Sequence, residues 1–398
     1  MLMAQRVSIP SKHVELQLVG LRDSFFASRV QRVSATADQA TNTIDELGNP
    51  QHAGASKDVA NVTLTFQVMD TGIRVISALT GTDEGSFPAS GVNLSTSLDL
   101  AIDAVLRVKD QTVAQYVKAS HLRRCTVQSF TFNYTVDGDS TEEYTAVGSQ
   151  KRWFTNDVIV EKFTSGGTSF TLSETPKVLK NGDDLLTAIL DGVYLTEVAS
   201  SPATGEYSVA GDALTTFDTR TDQLMVVFQS SSTGDAWTDI DDSTMPAAIR
   251  GKDVIVSISA SDRDRVQAVS INGNFNPTAV REMGSRDIVG YTSQVLEVTG
   301  TITVLDTDTD LLAILSGSDI ADTEIPLGIC AVSGVALEIK LQNPADCDLP
   351  FALLKTVYLP SISITSEGFT SNVNDNAQQT FDFRSDDGEV RIYEGARP

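Results

Sequence analysis

The sequence predicts a mainly β protein: two tandem copies of one β-sandwich or barrel domain, each with a short helix, separated by a small β-sandwich. Three observations carry that expectation. Apolar and polar residues alternate along most of the chain, the period of a strand with one wet and one buried face. The chain matches itself at long range. The stretch between the matching parts holds short apolar runs spaced as in a compact sandwich.

The self-match is ungapped over 51 positions. Residues 29–79 fall on 265–315 with a shift of 236, and sixteen positions are identical. Chance would give roughly three, since the commonest residues each make up under a tenth of a typical chain. The identities include Arg29-Val30-Gln31 on Arg265-Val266-Gln267 and Asp70-Thr71 on Asp306-Thr307. Upstream, Ile9–Val14 resembles Ile249–Val254. Downstream, Ala104–Lys109 resembles Val335–Lys340, and Val136–Tyr144 resembles Val373–Phe381. A period this long means whole domains, not solenoid repeats. The boundaries are therefore 1–153, 154–248 and 249–398.

The elements follow in order. Val14–Leu18, Val62–Val68 and Val127–Tyr134 alternate as strands, as do Val254–Ser259 and Leu337–Leu341. Ile73–Leu79 and Thr309–Leu315 occupy the same place in both copies and read as short helices, the second with an aspartate cap. Asp137-Gly138, Asn272-Gly273 and Asp387-Gly388 carry turn chemistry. In the middle, Thr168–Leu172, Tyr207–Val209, Thr215–Phe217 and Leu224–Phe228 form the small sandwich. Gly166-Gly167 and Ser230–Gly234 read as its hinges.

Bulk properties narrow the function. A net charge of −24 over 398 residues repels a nucleic-acid backbone, because binding needs Lys and Arg to neutralise phosphates. Cys125, Cys330 and Cys347 are sparse and scattered, against a disulfide framework and in favour of a reducing compartment. The N-terminal residues show no apolar signal core, and no run is long enough to span a membrane.

Catalytic chemistry finds little support. His13, His52 and His121 are isolated, and no nucleophile elbow, phosphate loop or zinc-protease motif occurs. Asp306, Asp308 and Asp310 open like a calcium loop, but Leu311 and Gly317 stand where glycine and a bidentate glutamate are required. Glu142 and Glu143 lie in a strand, so they face opposite ways and cannot share a proton. No enzyme activity, cofactor or metal is expected. The basic residues Arg123, Arg124, Lys151 and Arg152 are candidate contacts to an acidic partner.

A resemblance adds to this. Phe130–Trp153 holds a strand, a Val136-Asp-Gly turn, a second strand and a Gly148-Ser-Gln-Lys151-Arg-Trp153 close, and resembles the tail-tube proteins of tailed bacteriophages. The second copy carries a worn version, Phe369 through Phe381, closing with Arg391 and Tyr393 in place of Lys151 and Trp153. The segment 170–228 resembles a small immunoglobulin-like module grafted onto virion proteins. The resemblance implies a virion tail protein assembled in the host cytoplasm. Three chains would form a pseudo-hexameric ring, and rings would stack into a tube. It also implies contacts with a tape-measure protein and with tip or terminator proteins, and DNA crossing the lumen without specific binding. The loops 41–57 and 277–293, including Thr41, Glu46, Gly48, Lys57, Pro277, Glu282, Gly284 and Ser293, would reach the next ring. The middle module would project outward. A hub or terminator ring of the same fold, or an adhesin-like binding protein, remains an alternative.

Overall fold

In a computed structural model of the chain, strands dominate and helices are short. The structure describes residues 14–22, 24–27, 29–44, 54–70, 72–82, 87–97, 102–109, 116–164, 166–220, 223–231, 248–263, 265–305, 312–314, 334–345, 352–371 and 376–398.

The N-terminal half contains β1 (Val14–Val19), β2 (Ser24–Phe26), β3 (Val30–Asp38), β4 (Thr41–Ile44), β5 (Gly54–Lys57) and β6 (Asn61–Met69). Helix α1 (Arg74–Thr80), β7 (Val92–Asn93) and α2 (Leu94–Ser97) follow. The half ends with β8 (Ile102–Lys109), β9 (Tyr116–Thr135), β10 (Thr141–Gly148) and β11 (Gln150–Phe154). The middle region holds β12 (Val158–Phe163), β13 (Gly167–Thr171), β14 (Thr187–Leu190), β15 (Val193–Tyr194), β16 (Thr196–Glu197), β17 (Glu206–Ala210), β18 (Ala213–Arg220) and β19 (Leu224–Gln229). The C-terminal half comprises β20 (Val254–Ile258), β21 (Ser261–Asp262), β22 (Val266–Asn274), β23 (Thr278–Val280), β24 (Gly290–Thr292) and β25 (Glu297–Leu305). It closes with β26 (Val335–Gln342), β27 (Leu353–Thr370), β28 (Gln378–Ser385) and β29 (Arg391–Glu394).

Alternation sets these elements. Along β6, even-numbered residues from Val62 to Val68 are buried and the odd ones are not. Along β25 the same holds from Val298 to Val304. Helix α1 ends at Gly81, whose φ of 64° is a left-handed conformation that glycine adopts without a Cβ penalty. In the C-terminal half, residues 312–314 are helical. The expected cap at Asp308–Asp310 lies outside the described residues, as do His13, His52, Cys330 and Cys347.

Seven strand pairings in the N-terminal half have counterparts in the C-terminal half. β1–β2, β1–β8, β8–β9, β9–β10, β10–β6, β6–β3 and β9–β11 correspond to β20–β21, β20–β26, β26–β27, β27–β28, β28–β25, β25–β22 and β27–β29. The registers agree in detail. Val30 pairs Val68 and a bulge follows before Arg32–Gln67; Val266 pairs Val304 and a bulge follows before Ala268–Thr303. All four shifts are 236. Just before these ladders Arg29 and Arg265 have φ of 53° and 62°. β9–β10 and β27–β28 likewise match at a shift of 237, with a bulge at the same step.

The ladders correct the sequence alignment in two places. With Val14 on Val254, the pairings Val14–Val108 and Val254–Leu341 put β8 on β26 at a shift of 233. Ala104 therefore stands at Leu337, not Val335. Similarly, His121–Arg152 and Tyr358–Arg391 set Arg152 on Arg391 and Trp153 on Ile392. Identity-matching aligned side chains of like chemistry, whereas hydrogen-bond register fixes which face each occupies.

These pairings join the two halves into one network of seventeen strands, with no closed barrel among the described residues. One continuous apolar core runs through both halves, from Leu16 and Phe66 to Phe381 and Ile392. Asn272-Gly273, expected as a turn, lies inside β22. The Phe130 ring packs so close that a Cβ on Gly273 would come within 2.3 Å of it, so the glycine serves close packing.

The middle region forms two four-stranded sheets, β12-β19-β14-β15 and β13-β18-β17-β16, around its own core of Phe170, Leu214, Leu224 and Phe228. Two of the residues expected in its hinges are built into it. Gly167 begins β13 and pairs with Arg220, so it lies within the sandwich. Ser230 is buried and bonds Asp157, and residues 232–234 lie outside the described residues. A second apolar cluster joins Val19, Val105 and Ala119 of the N-terminal half to Val158, Ile189, Met225 and Val227 of the middle region.

Candidate assembly interface

The two halves meet at a seam of known register. β22 lies antiparallel to the end of β9, with Val269 on Tyr134, Ile271 on Phe132 and Gly273 on Phe130. The Thr131 hydroxyl donates to Asn272 Oδ1 at 2.9 Å. A shorter ladder sets Val92 and Asn93 of β7 on Ile392 and Arg391 of β29.

A buried charge cluster lies beneath the seam. Lys355 on β27, fully buried, donates to Asp70 Oδ2 at 2.7 Å and also to Glu142. Tyr144 donates to Glu142 at 2.7 Å and Tyr134 to Asp70 at 3.4 Å. The Lys355 ammonium sits 5.1 Å from the Phe132 ring centre. Burial pushes the Glu142 carboxyl up to about 7, and the Asp70 charge adds to the rise against the pull of Lys355. Burial disfavours charge on Lys355 too, but the two carboxylates outweigh it and raise its pKa. Two acids face one base, so the cluster tolerates only one ionised carboxylate without a net buried charge.

The seam uses one edge from each half and leaves one edge from each half unused. Among the described residues, β3 pairs only with β6, and residues 363–370 of β27 pair on one side only, with β28. Three side chains beside these edges differ from their counterparts in the seam. Phe369 is 58% exposed, while Phe132 is 0% exposed. Trp153 is 54% exposed, while Ile392 is buried. Lys118 is exposed, while Lys355 is buried.

The expected stacking loops contain paired strands. Thr41 pairs Lys57 in the β4–β5 hairpin, and Thr278 pairs Thr292 in the β23–β24 hairpin, with Pro277 and Ser293 flanking the latter. The registers match, since Asn42–Ser56 and Thr278–Thr292 differ by 236. Backbone pairing orders these arms without requiring an apolar face. Glu282 is exposed and Gly284 has φ of 88°; Glu46 and Gly48 lie outside the described residues. Arg281 joins the hairpins by donating to Asp58 at 3.0 Å.

The four candidate basic contacts face their own chain. Arg124 stacks over Tyr194 at 4.8 Å. The Arg123 carbonyl accepts from Ser149 at 2.9 Å. Lys151 donates to the Ala35 carbonyl on β3 and lies 5.3 Å from the Trp153 ring centre. Burial lowers the pKa of Arg152. Arg152 and Trp153 border a groove shared with Lys177 and Lys180 of the middle region. Within the chain this set meets an aromatic ring, backbone oxygens and, through the Arg124 amide, the Asp103 carboxylate.

A polar staple holds the middle region. Buried Asp103 receives His121 at 2.9 Å, Thr187 at 2.5 Å, Tyr194 at 3.2 Å and the Arg124 amide at 2.8 Å. Burial raises its pKa, but the charge and hydrogen bond of His121 outweigh that and lower it. Arg107 donates to Asp157 at 2.8 Å and to Gln17 at 2.5 Å. Cys125 is buried, and desolvation raises its thiol pKa, which makes it a poor nucleophile. Among the described residues no three His, Cys, Asp or Glu side chains gather as a metal would need, and no helix is long and apolar enough to cross a membrane. The Asp306–Asp310 motif lies outside those residues.

Sequence reasoning missed the Lys355 cluster because Asp70, Glu142 and Lys355 are far apart in the chain. One signal was available: at the shift of 237, Lys118 falls on Lys355 and Glu142 on Gln379. Compared with known proteins, the chain matches no family model and no curated sequence.

Proposed function

We propose that this chain is a structural virion protein, the subunit of a phage tail tube. Residues 1–153 and 249–398 are tandem copies of one tube domain, and residues 154–248 form an immunoglobulin-like module braced on the first copy. One observation supports the duplication most: seven strand pairings recur in the two halves, with matching bulges. Local sequence chemistry alone does not repeat a seven-ladder topology.

Three chains then supply six near-equivalent walls around a channel, since repeated copies of one surface generate closed rings. The hairpins at 41–57 and 277–293 leave equivalent points of the two copies and engage the next ring. A chain of −24 lets DNA pass without adhering. Partners are further copies of the chain, a tape-measure protein within the growing tube, and tip or terminator proteins at its ends.

Electron microscopy of the purified full chain, alone and with virion tip proteins, tests this. Hollow tubes built from rings with six lobes and three chains are expected. Isolated rings would instead mark a hub or terminator. A monomer that persists at high concentration with the tip proteins present would sink the tube reading and favour a binding protein of the adhesin type.

A further inference from the structure

Among the described residues every ladder within one half recurs in the other, but the seam ladder β22–β9 occurs once. Its counterpart would join β3 to residues 366–371. Within one chain both edges are unused on that side among the described residues. We infer that a second copy of this chain completes it: β3 of one chain lies antiparallel to β27 of the next, repeating the internal seam. Applying the two shifts to the seam register sets Val33 on Ser371, Ala35 on Phe369, Ala37 on Glu367 and Asp38 on Ser366.

The side chains fit this register. Val269 and Ser270 of the seam strand recur as Val33 and Ser34. Phe369 takes the place of Phe132, and its exposed ring gains the cover that Phe132 already has from β22. In the internal seam a Cβ at position 273 would strike the Phe130 ring. In the new seam Ala37 stands there, and Glu367 replaces the phenylalanine opposite, so the extra methyl meets no ring. Lys118 takes the place of Lys355 and Gln379 that of Glu142, and Glu367, which replaces Phe130, accepts from Gln379 at 2.8 Å. Trp153 remains 54% exposed where Ile392 is covered by β7.

Such contacts are head-to-tail. Different surfaces meet, so the series continues until it closes as a ring or extends as a filament. Pairing would also cover two open edges, which otherwise invite aggregation. Lys151, now bonded to the Ala35 carbonyl, would exchange that acceptor where the incoming strand claims it. The inference rests on the two halves being copies of one domain, and not on the virion assignment.

Disulfide trapping tests the register. Two double variants of the full chain, Ala35→Cys with Phe369→Cys and Ser34→Cys with Thr370→Cys, sample both kinds of antiparallel site. Ala35→Cys with Thr370→Cys is the off-register control, because its side chains face opposite sides. At concentrations where the protein self-associates, mild oxidation is expected to give intermolecular species at least about tenfold more abundant for one on-register pair than for the control. Phe369→Arg should abolish self-association while the monomer melts as before. Equal yields in all pairs, no cross-linked species at the highest soluble concentration, or unaltered assembly by Phe369→Arg would overturn the seam. Cross-links without hollow tubes would sink the tail assignment and keep the seam. Tubes without on-register cross-links would do the reverse.

Discussion

Glu142 and Gln379 occupy the same ladder position in the two halves, yet one is part of a buried charge cluster and the other is not. Glu142 is sealed with Lys355, Asp70 and two tyrosines. Gln379 donates to Glu367 on the neighbouring strand at 2.8 Å. The difference tracks permanence. A buried cluster of two acids and one base is tolerable where both sides belong to one chain and desolvate once, on folding. At a junction between molecules the same charges would have to shed water at every association. The internal seam thus buries Lys355 with Asp70 and Glu142, where the open edges carry an exposed Lys118 and the neutral Gln379.

The sharpest way to break this comparison is Lys355→Met. It keeps the volume but leaves Asp70 and Glu142 without their cation, which costs about 3–5 kcal/mol. Chemical denaturation of the variant should show that loss at pH 8 and less of it at pH 5, where Glu142 can protonate. An unchanged midpoint at pH 8 would mean the cluster contributes nothing to joining the halves.

The phenylalanine pair comes next. Phe132→Ala removes a fully buried ring packed on Tyr144 at 6.3 Å and is expected to cost about 3 kcal/mol. Phe369→Ala removes an exposed ring and should leave monomer stability within about 0.5 kcal/mol. Equal effects in the monomer would show that the Phe369 ring is already packed within one chain. Parallel thermal melts at low concentration measure both.

Several strands and the first helix were legible beforehand, and the reason is local. β6, β26 and α1 announce themselves because burial of alternate residues, or of one helical face, is written in consecutive side chains. The Asn272-Gly273 error has the opposite cause: a dipeptide with turn chemistry was claimed by a ring from β9, and nothing near it in sequence says so. The docking of the middle region was hidden for the same reason. Val105 and Ala119 read as ordinary strand residues until Met225 and Val227 arrive from a distant strand. Of the candidate site, Arg124 and Lys151, which sequence selected for charge, also reach Tyr194 and the Ala35 carbonyl within the chain. The seam itself is marked by Phe132, Phe369 and Lys355, whose meaning appears only when two strands are aligned by register.

A gentler test uses pH. The Glu142 carboxyl lies at about 7 in the fold against an ordinary value of 4.5. Because the folded value is the higher one, the favourable contribution is complete below about 4.5 and is lost as pH rises through about 7, by something on the order of 1–3 kcal/mol. Glu142→Gln installs the residue found at the counterpart position and leaves one acid for one base. Its melting temperature should therefore fall less than the parent's between pH 5 and 8. A parallel pair of curves would show that Glu142 ionises without cost where it is.

The smallest expected effect concerns the hairpins. The Asp58 carboxyl is held below its usual range first by the Val59 amide and then by Arg281, and the ion pair is open to water on both sides. An exposed pair of this kind contributes little to global stability, so Asp58→Ala should leave the melting temperature unmoved. What it removes is the link between the β23–β24 arm and the chain just beyond β5, which two-stranded ladders need because they are marginal on their own. Hydrogen exchange should accelerate at residues 54–57 and 278–292 while β6 and β25 stay protected. If exchange in the arms is unchanged, their order comes from the ladders alone, and the two arms are independent levers rather than a joined pair.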